Sequence, residues 1–211
     1  MEITKFAHSC FLIEDQGQRI LIDPGIYSDQ QNQLTNLDIV LITHEHPDHF
    51  SIDSIKQIIA NNPKVKIITN TAVKTILDNE NIENLLLEHE NSLNESGVLI
   101  EAIGDKHAII HKSIPQFQNT GYYINSKLFY PGDSLTLPNR EVEILALPVS
   151  GPWLNISEAI DYALEIKPKK CFPVHEALLV HPGVAHSIPP TILEPVGIEF
   201  IVIEPTKSYQ F

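Results

Sequence analysis

A chain of 211 residues, 43% of them hydrophobic, is long enough to bury one sizeable core, and no Gly/Ser/Pro-rich linker divides it, so a single domain over 1–211 is expected. Fourteen basic against 27 acidic residues leave a formal net charge of −13, which excludes a broad phosphate-binding surface and with it an extended nucleic acid as partner. The N-terminus has no basic segment leading into a long apolar one, and nowhere do about 18 apolar residues run together, so a cytoplasmic protein with no membrane span is expected.

In chain order, apolar-rich runs at 3–14 and 19–23 flank Gln16-Gly17-Gln18, which reads as a hairpin turn, and the second run ends in Asp23-Pro24-Gly25. Residues 38–43 read as a strand. Ile52, Ile55, Ile58 and Ile59 then recur at helical spacing between Ser51 and Asn61, with Ser51 as N-cap and Asp53 in the first turn. Lys64 to Thr69 reads as a strand, and Ala72, Val73, Ile76 and Leu77 mark a second helix that fades into 78–84. Short β-like runs follow at 85–89, 97–103, 107–111, 120–125, 127–130 and 142–147. Ile156, Ala159, Ile160, Ala163, Leu164 and Ile166 predict an amphipathic helix that stops before Pro168, and apolar runs at 171–174 and 198–203 close the chain. Cys10 and Cys171 each sit inside an apolar run, which favours buried free thiols over a disulfide. The pattern gives an α/β or α+β class.

Directly after the apolar run 38–42 comes Thr43-His44-Glu45-His46-Pro47-Asp48-His49. Three histidines and an aspartate within six positions at a strand end form a metal-ligand set, a density with little other use. Alternate residues of an extended chain point the same way, so His44, His46 and Asp48 converge if the turn holds them, with His49 turned to the other side. Two ligand sets then arise from one loop. Further ligands must come from other strand ends. Leu128 to Ser134 runs from an apolar strand into a Gly-Asp turn with Asp133 at its tip, and Cys171 to Glu176 is an apolar run ending in His175. His181 and His186 lie in a Pro/Gly-containing stretch where fixed geometry is harder to hold.

The pattern H-x-H-x-D-H resembles the signature loop of the metallo-β-lactamase superfamily, and His8-Ser9-Cys10 in the first strand resembles its UlaG-like, metal-dependent hydrolase branch. The resemblance runs in order from His8 to His175. It implies a four-layer αββα sandwich, with His44, His46 and His107 on one metal, Asp48, His49 and His175 on a second, and Asp133 bridging. Asp48 and Asp133 are then the carboxylates of the catalytic core. Both His107 and His111 qualify as the mid-chain histidine; His107 is preferred because it comes just after the 97–103 run. His8, His111 and Trp153 are candidates for substrate contacts, and Asp23 for a carboxylate that orients a metal histidine.

Imidazoles and carboxylates suit Zn²⁺, and also Mn²⁺ or Fe²⁺. Two such ions lower the pKa of a shared water towards ~7, so hydrolysis of an ester, lactone or phosphodiester of a small molecule is expected. The ions add a local charge of about +4, which leaves an anionic substrate compatible with the acidic chain. Two other classes compete: a di-iron redox enzyme, in which the second loop histidine is typically Glu rather than His46, and a non-catalytic metal-binding module, which would be expected to have lost ligands.

Overall fold

The computed structural model describes residues 1–211. In chain order the elements are β1 (Glu2–Ala7), β2 (Cys10–Asp15), β3 (Gln18–Ile22), β4 (Ile39–Leu41), α1 (Ile52–Asn61), β5 (Lys66–Thr69), α2 (Thr71–Asn79), β6 (Leu85–Leu86), β7 (Ser92–Glu95), β8 (Val98–Ile103), β9 (Gly121–Ile124), β10 (Leu128–Tyr130), β11 (Ile144–Pro148), α3 (Ile156–Ile166), β12 (Lys170–Val174), α4 (Gly183–Leu193), β13 (Glu199–Phe200) and β14 (Ser208–Gln210). Two seven-stranded sheets result, ordered β14-β1-β2-β3-β4-β5-β6 and β13-β12-β11-β10-β9-β8-β7. No helix is long and apolar enough to cross a membrane.

The period of two along each strand explains the layers. Phe11, Ile13, Ile20, Ile22, Ile39 and Leu41 of the first sheet meet Tyr122, Ile124, Ile144, Ala146, Phe172 and Val174 of the second in one central core. The intervening residues face the other way. Leu12, Leu21 and Val40 pack under Ile55 and Ile58 of α1 and Val73 and Leu77 of α2. Tyr123, Phe129, Leu145 and Cys171 pack against Ala159, Ile160 and Ala163 of α3 and Leu193 of α4. Central strands are therefore covered on both faces, which is why they read as continuous apolar runs. The order helix, sheet, sheet, helix is the expected αββα sandwich.

The helix termini follow their capping residues. Ser51 Oγ accepts from the Ser54 N–H at 3.3 Å at the start of α1. Asn155 and Glu158 form a capping box on α3, which ends at a left-handed Lys167 just before Pro168.

Five local expectations are corrected. The run 3–14 is two strands joined by the turn His8-Ser9, where His8 takes φ 55°; His8 therefore stands in a turn and not in a strand. Ser9 is that turn's one usual signal, and a weak one inside an apolar run. Residues 107–111 form no strand, because their backbone bonds leave the ladder: the His107 N–H donates to Phe117 O at 3.0 Å and the Ala108 N–H to Asp133 O at 2.8 Å. The polar β7 is an unread edge strand paired with β8. The stretch holding His186 is helix α4 despite Pro189 and Pro190, since Ala185, Pro189 and Leu193, four apart, are its buried stripe. Finally, β14 returns to pair with β1.

Strand direction positions the site. β1, β3 and β4 run the same way in the first sheet, since β2 is antiparallel to both β1 and β3. β8, β10, β11 and β12 likewise run the same way in the second. His8, Asp23, the 43–49 loop, His107, Asp133, Trp153 and His175 all follow the C-terminal ends of these strands.

Candidate metal centre

The loop after β4 is pinned from below. The Thr43 N–H donates to Asp23 Oδ1 at 2.8 Å and its hydroxyl to Asp23 Oδ2 at 2.7 Å. The N–H groups of His49 and Phe50 both donate to His46 O at 2.9 Å, and α1 begins two residues beyond. Gly25 runs so close beneath that a Cβ there would lie 2.1 Å from Asp48 O. The loop is a turn and not an extended segment, so the expected alternation fails at Asp48. Its carboxylate joins His49 and not His44 and His46.

Two groups of side chains result: His44, His46, His107 and Asp133, and His8, Asp48, His49 and His175, the ligand atoms in each lying within 4.8 Å of one another. Asp133 touches both. Its Oδ2 is 3.8 Å from His44 Nε2, 3.2 Å from His107 Nε2 and 3.0 Å from His175 Nε2, and its Oδ1 is 3.1 Å from His49 Nε2. His175 Nε2 is also 3.4 Å from Asp48 Oδ2. The Nε2 atoms of His49, His107 and His175 and Asp133 Oδ1 are buried with no hydrogen-bond partner. Buried polar atoms left unpaired are costly, and here they converge from both sheets. This donor set fits divalent cations.

The ring nitrogens facing away from the centre set the tautomers. His49 Nδ1 is 2.7 Å from Asp23 Oδ2 and His107 Nδ1 is 2.6 Å from Ala108 O, so each donates outward and aims an Nε2 lone pair inward. His8 is the opposite case. Its Nδ1 accepts the Ala177 N–H at 3.1 Å, so its Nε2 carries the proton and donates to Asp48 Oδ2 at 3.1 Å. His8 thus orients a carboxylate and offers no lone pair of its own.

The electrostatics follow the same geometry. Burial opposes ionisation of Asp133, but His49 and His175 hold it well below the usual carboxylate range. Burial also opposes the charge on Asp48, and the bonds from His175 and His8 outweigh it and keep the group ionised. For His49 and His175 burial disfavours the imidazolium, yet Asp133 reverses this, raising His49 well above its ordinary value and His175 to about 9, and a metal entering the centre would displace the Nε2 proton to free the lone pair. Burial dominates at His44, which is pushed well down, and at His8, which falls to about 4.

Trp153 reaches the centre, donating its indole N–H to Asp133 Oδ2 at 3.0 Å. His111 does not. It is exposed, with Nδ1 against Ser113 Oγ at 2.7 Å, and belongs to neither group. His181 and His186 also lie outside both groups. Sequence reasoning missed Tyr130, whose hydroxyl donates to Asp23 Oδ2 at 2.8 Å, and Asn119, whose Oδ1 accepts the Asp133 N–H at 3.0 Å. Tyr130 was findable, because it shares the inward parity of Leu128 one strand residue before the Asp133 turn. No signal marks Asn119. Three residues at the centre, His8, Asp23 and His175, hold φ of 55°, 41° and 68°, a region that side chains other than glycine enter only when the surroundings impose it.

Residues 2–175 match the β-lactamase superfamily domain family. Protein Rv0786c of Mycobacterium tuberculosis is 34% identical over 184 residues, covering 85% of each chain. A UPF0173 metal-dependent hydrolase of Nanoarchaeum equitans is 26% identical over 188 residues, covering 83% of each. Among solved structures, a metallo hydrolase from the archaeon Ignicoccus hospitalis superposes with a TM-score of 0.78 at 21% identity, over 100% of this chain and 98% of that one. With the αββα sandwich and the two histidine and carboxylate groups at its strand ends, this match over most of the sequence means that the chain belongs to the metallo-β-lactamase superfamily.

Proposed function

We propose that the protein is a metal-dependent hydrolase of a small molecule, built as one domain over 1–211, with two divalent cations held by the residues described above. The observation that carries this is the position of Asp133, whose two oxygens face His49 on one side and His107 and His175 on the other, where a single carboxylate can serve both groups. His44, His46 and His107 would hold one cation and Asp48, His49 and His175 the other, with Asp133 between. All-nitrogen and oxygen donors favour Zn²⁺, with Mn²⁺ or Fe²⁺ also suited. Cations there would supply Lewis acidity and water acidified towards neutral pH.

The chain's own groups then have defined tasks. The proton on His8 Nε2 fixes the rotamer of Asp48, and the indole N–H of Trp153 holds Asp133 Oδ2 in place. Asp23 keeps His49 Nδ1 protonated, so that Nε2 faces the centre. The Phe117 ring centre lies 4.4 Å from that of His46 and the Tyr27 ring centre 4.8 Å from that of His8, so both rings flank the site. Ester, lactone and phosphodiester cleavage all suit this arrangement, and His46 stands where the di-iron redox branch typically carries Glu. The relative from Nanoarchaeum equitans, described as a metal-dependent hydrolase, supports the hydrolytic reading. The buried, unpaired Cys10 and Cys171 suit a reducing compartment such as the cytoplasm.

The test is an activity screen over esters, lactones and phosphodiesters using protein stripped by chelator and reloaded with Zn²⁺ or Mn²⁺. Turnover that disappears on stripping and returns on reloading is expected. Consumption of oxygen by iron-loaded protein with an electron donor, together with no hydrolysis across the screen, would contradict the proposal.

A further inference from the structure

The strands β11 and β12 are parallel neighbours whose ends lie side by side, Pro148 opposite Val174. The segments leaving them separate at once. One carries Trp153 into α3, and the other carries His175 and continues to α4. Between them lies a cavity of ≈ 380 Å³, within the range of small-ligand pockets.

Its lining is aliphatic. Val149, Leu154, Ile156, Leu178, Leu179 and Val184 form most of the wall, with no aromatic ring among the lining residues. Ser150 is the one side chain there with a polar group, and its hydroxyl already donates to His175 O at 2.6 Å. A ligand inside would therefore find no side-chain donor free for a hydrogen bond and no lining ring on which to stack. At the mouth, Leu178 and Val184 are 52% and 59% exposed, large apolar surface left in water.

The cavity adjoins the metal centre through its lining. The hydroxyl of the lining Ser150 holds the backbone oxygen of His175, and Trp153, which follows the lining Pro152 in the chain, turns its indole to Asp133. Gly151 makes this possible, since a Cβ there would lie 2.9 Å from Trp153 Nε1, on a backbone with φ 157°. The segment 150–154 thus borders the aliphatic space and also bonds to His175 and Asp133.

We infer that this cavity is a subsite for an alkyl or acyl chain, so that the substrate is an apolar-chain ester, thioester or lactone; that it serves a substrate at all rests on the hydrolase proposal above. The chain lies between the two segments, and its polar end points past Trp153 towards Asp133.

Trp153 is the only tryptophan of the protein, and its chain neighbours Pro152 and Leu154 line the cavity, so its emission serves as the reporter of occupancy. Neutral 1-alkanols from butanol to octanol are suitable probes, because their binding needs neither turnover nor a cation. Affinity should rise about fourfold for each CH₂ group added. Leu178→Asp and Val184→Asp change side chains that are mostly exposed, so thermal melts should stay close to wild type while the rise with chain length flattens. In metal-loaded protein, kcat/KM for p-nitrophenyl esters should climb from acetate to octanoate.

The two proposals fail in different ways. A chain-length dependence for alkanols without turnover of any ester would defeat the hydrolase reading and keep the subsite. A flat alkanol response beside clear ester turnover would overturn the subsite. Sedimentation showing a dimer that Val184→Asp converts to monomer would also overturn it, because a second copy would then cover the mouth.

Discussion

Asp23 Oδ2 lies 2.7 Å from Nδ1 of His49, and neither side chain has any contact with solvent. The same oxygen accepts from the Thr43 and Tyr130 hydroxyls at 2.7 and 2.8 Å, so one carboxylate ties the base of the 43–49 loop to both sheets. Partners of this kind set the tautomer and basicity of a ligand imidazole. Asp23→Asn should lower metal affinity by roughly 10- to 100-fold, measured by competition with a chromogenic chelator. Wild-type affinity in that variant would remove Asp23 from the proposed site.

His107 and His111 stand four positions apart, one buried against Asp133 and one exposed against Ser113. His107→Ala should strip one cation on gel filtration, and His111→Ala should retain the wild-type metal content. Loss in the second variant alone would reverse the assignment.

Gly25 is needed for proximity, and Gly17 for conformation. A Cβ at Gly25 would meet the Asp48 carbonyl carbon at 2.2 Å, and backbone cannot move aside as a side chain would. Gly25→Ala should cost about 1–3 kcal/mol in chemical denaturation and also weaken metal binding, since the turn must shift. Gly17 has φ 81°, and a Cβ there would meet nothing within 4 Å, so Gly17→Ala should cost only about 1–2 kcal/mol and leave metal affinity unchanged.

Burial pushes the Cys10 thiol well above its ordinary range and the Cys171 thiol up to about 12. Native protein should therefore give almost no reaction with Ellman's reagent at pH 8, and two thiols per chain once unfolded. The folded state keeps these protons where the unfolded state loses them. Stability should accordingly be unaffected by the thiols below the unfolded pKa and fall as pH rises through about 9. One mole of disulfide in place of two thiols would contradict the buried, unpaired state.

The sequence was most legible where one strong signal acts locally. Ser51 and Asp53 mark the start of α1, and the spacing of Ile156, Ala159, Ile160 and Ala163 with Pro168 beyond marks α3, because these signals lie in or beside the helix itself. The ligand loop was legible from its density of histidines, yet its shape was not: tertiary bonds from Asp23 and the approach of Gly25 bend it into a turn, moving Asp48 to the side of His49. The His8 turn and α4 were hidden for a related reason. His8-Ser9 offers only the weak turn former Ser9, and Pro189 and Pro190 argue against a helix that packing nonetheless imposes. Asn119 touches Asp133 because the antiparallel pairing of β9 and β10 brings the start of one strand beside the end of the other.

The most direct test of the two-cation centre is elemental analysis of protein grown with supplemented metal and freed of loosely bound ions by gel filtration. Two divalent cations per chain are expected, falling in Asp133→Ala, which removes the carboxylate that faces both groups. A reproducible content of zero or one in the wild-type protein, or two retained in Asp133→Ala, would contradict a dinuclear centre built around Asp133.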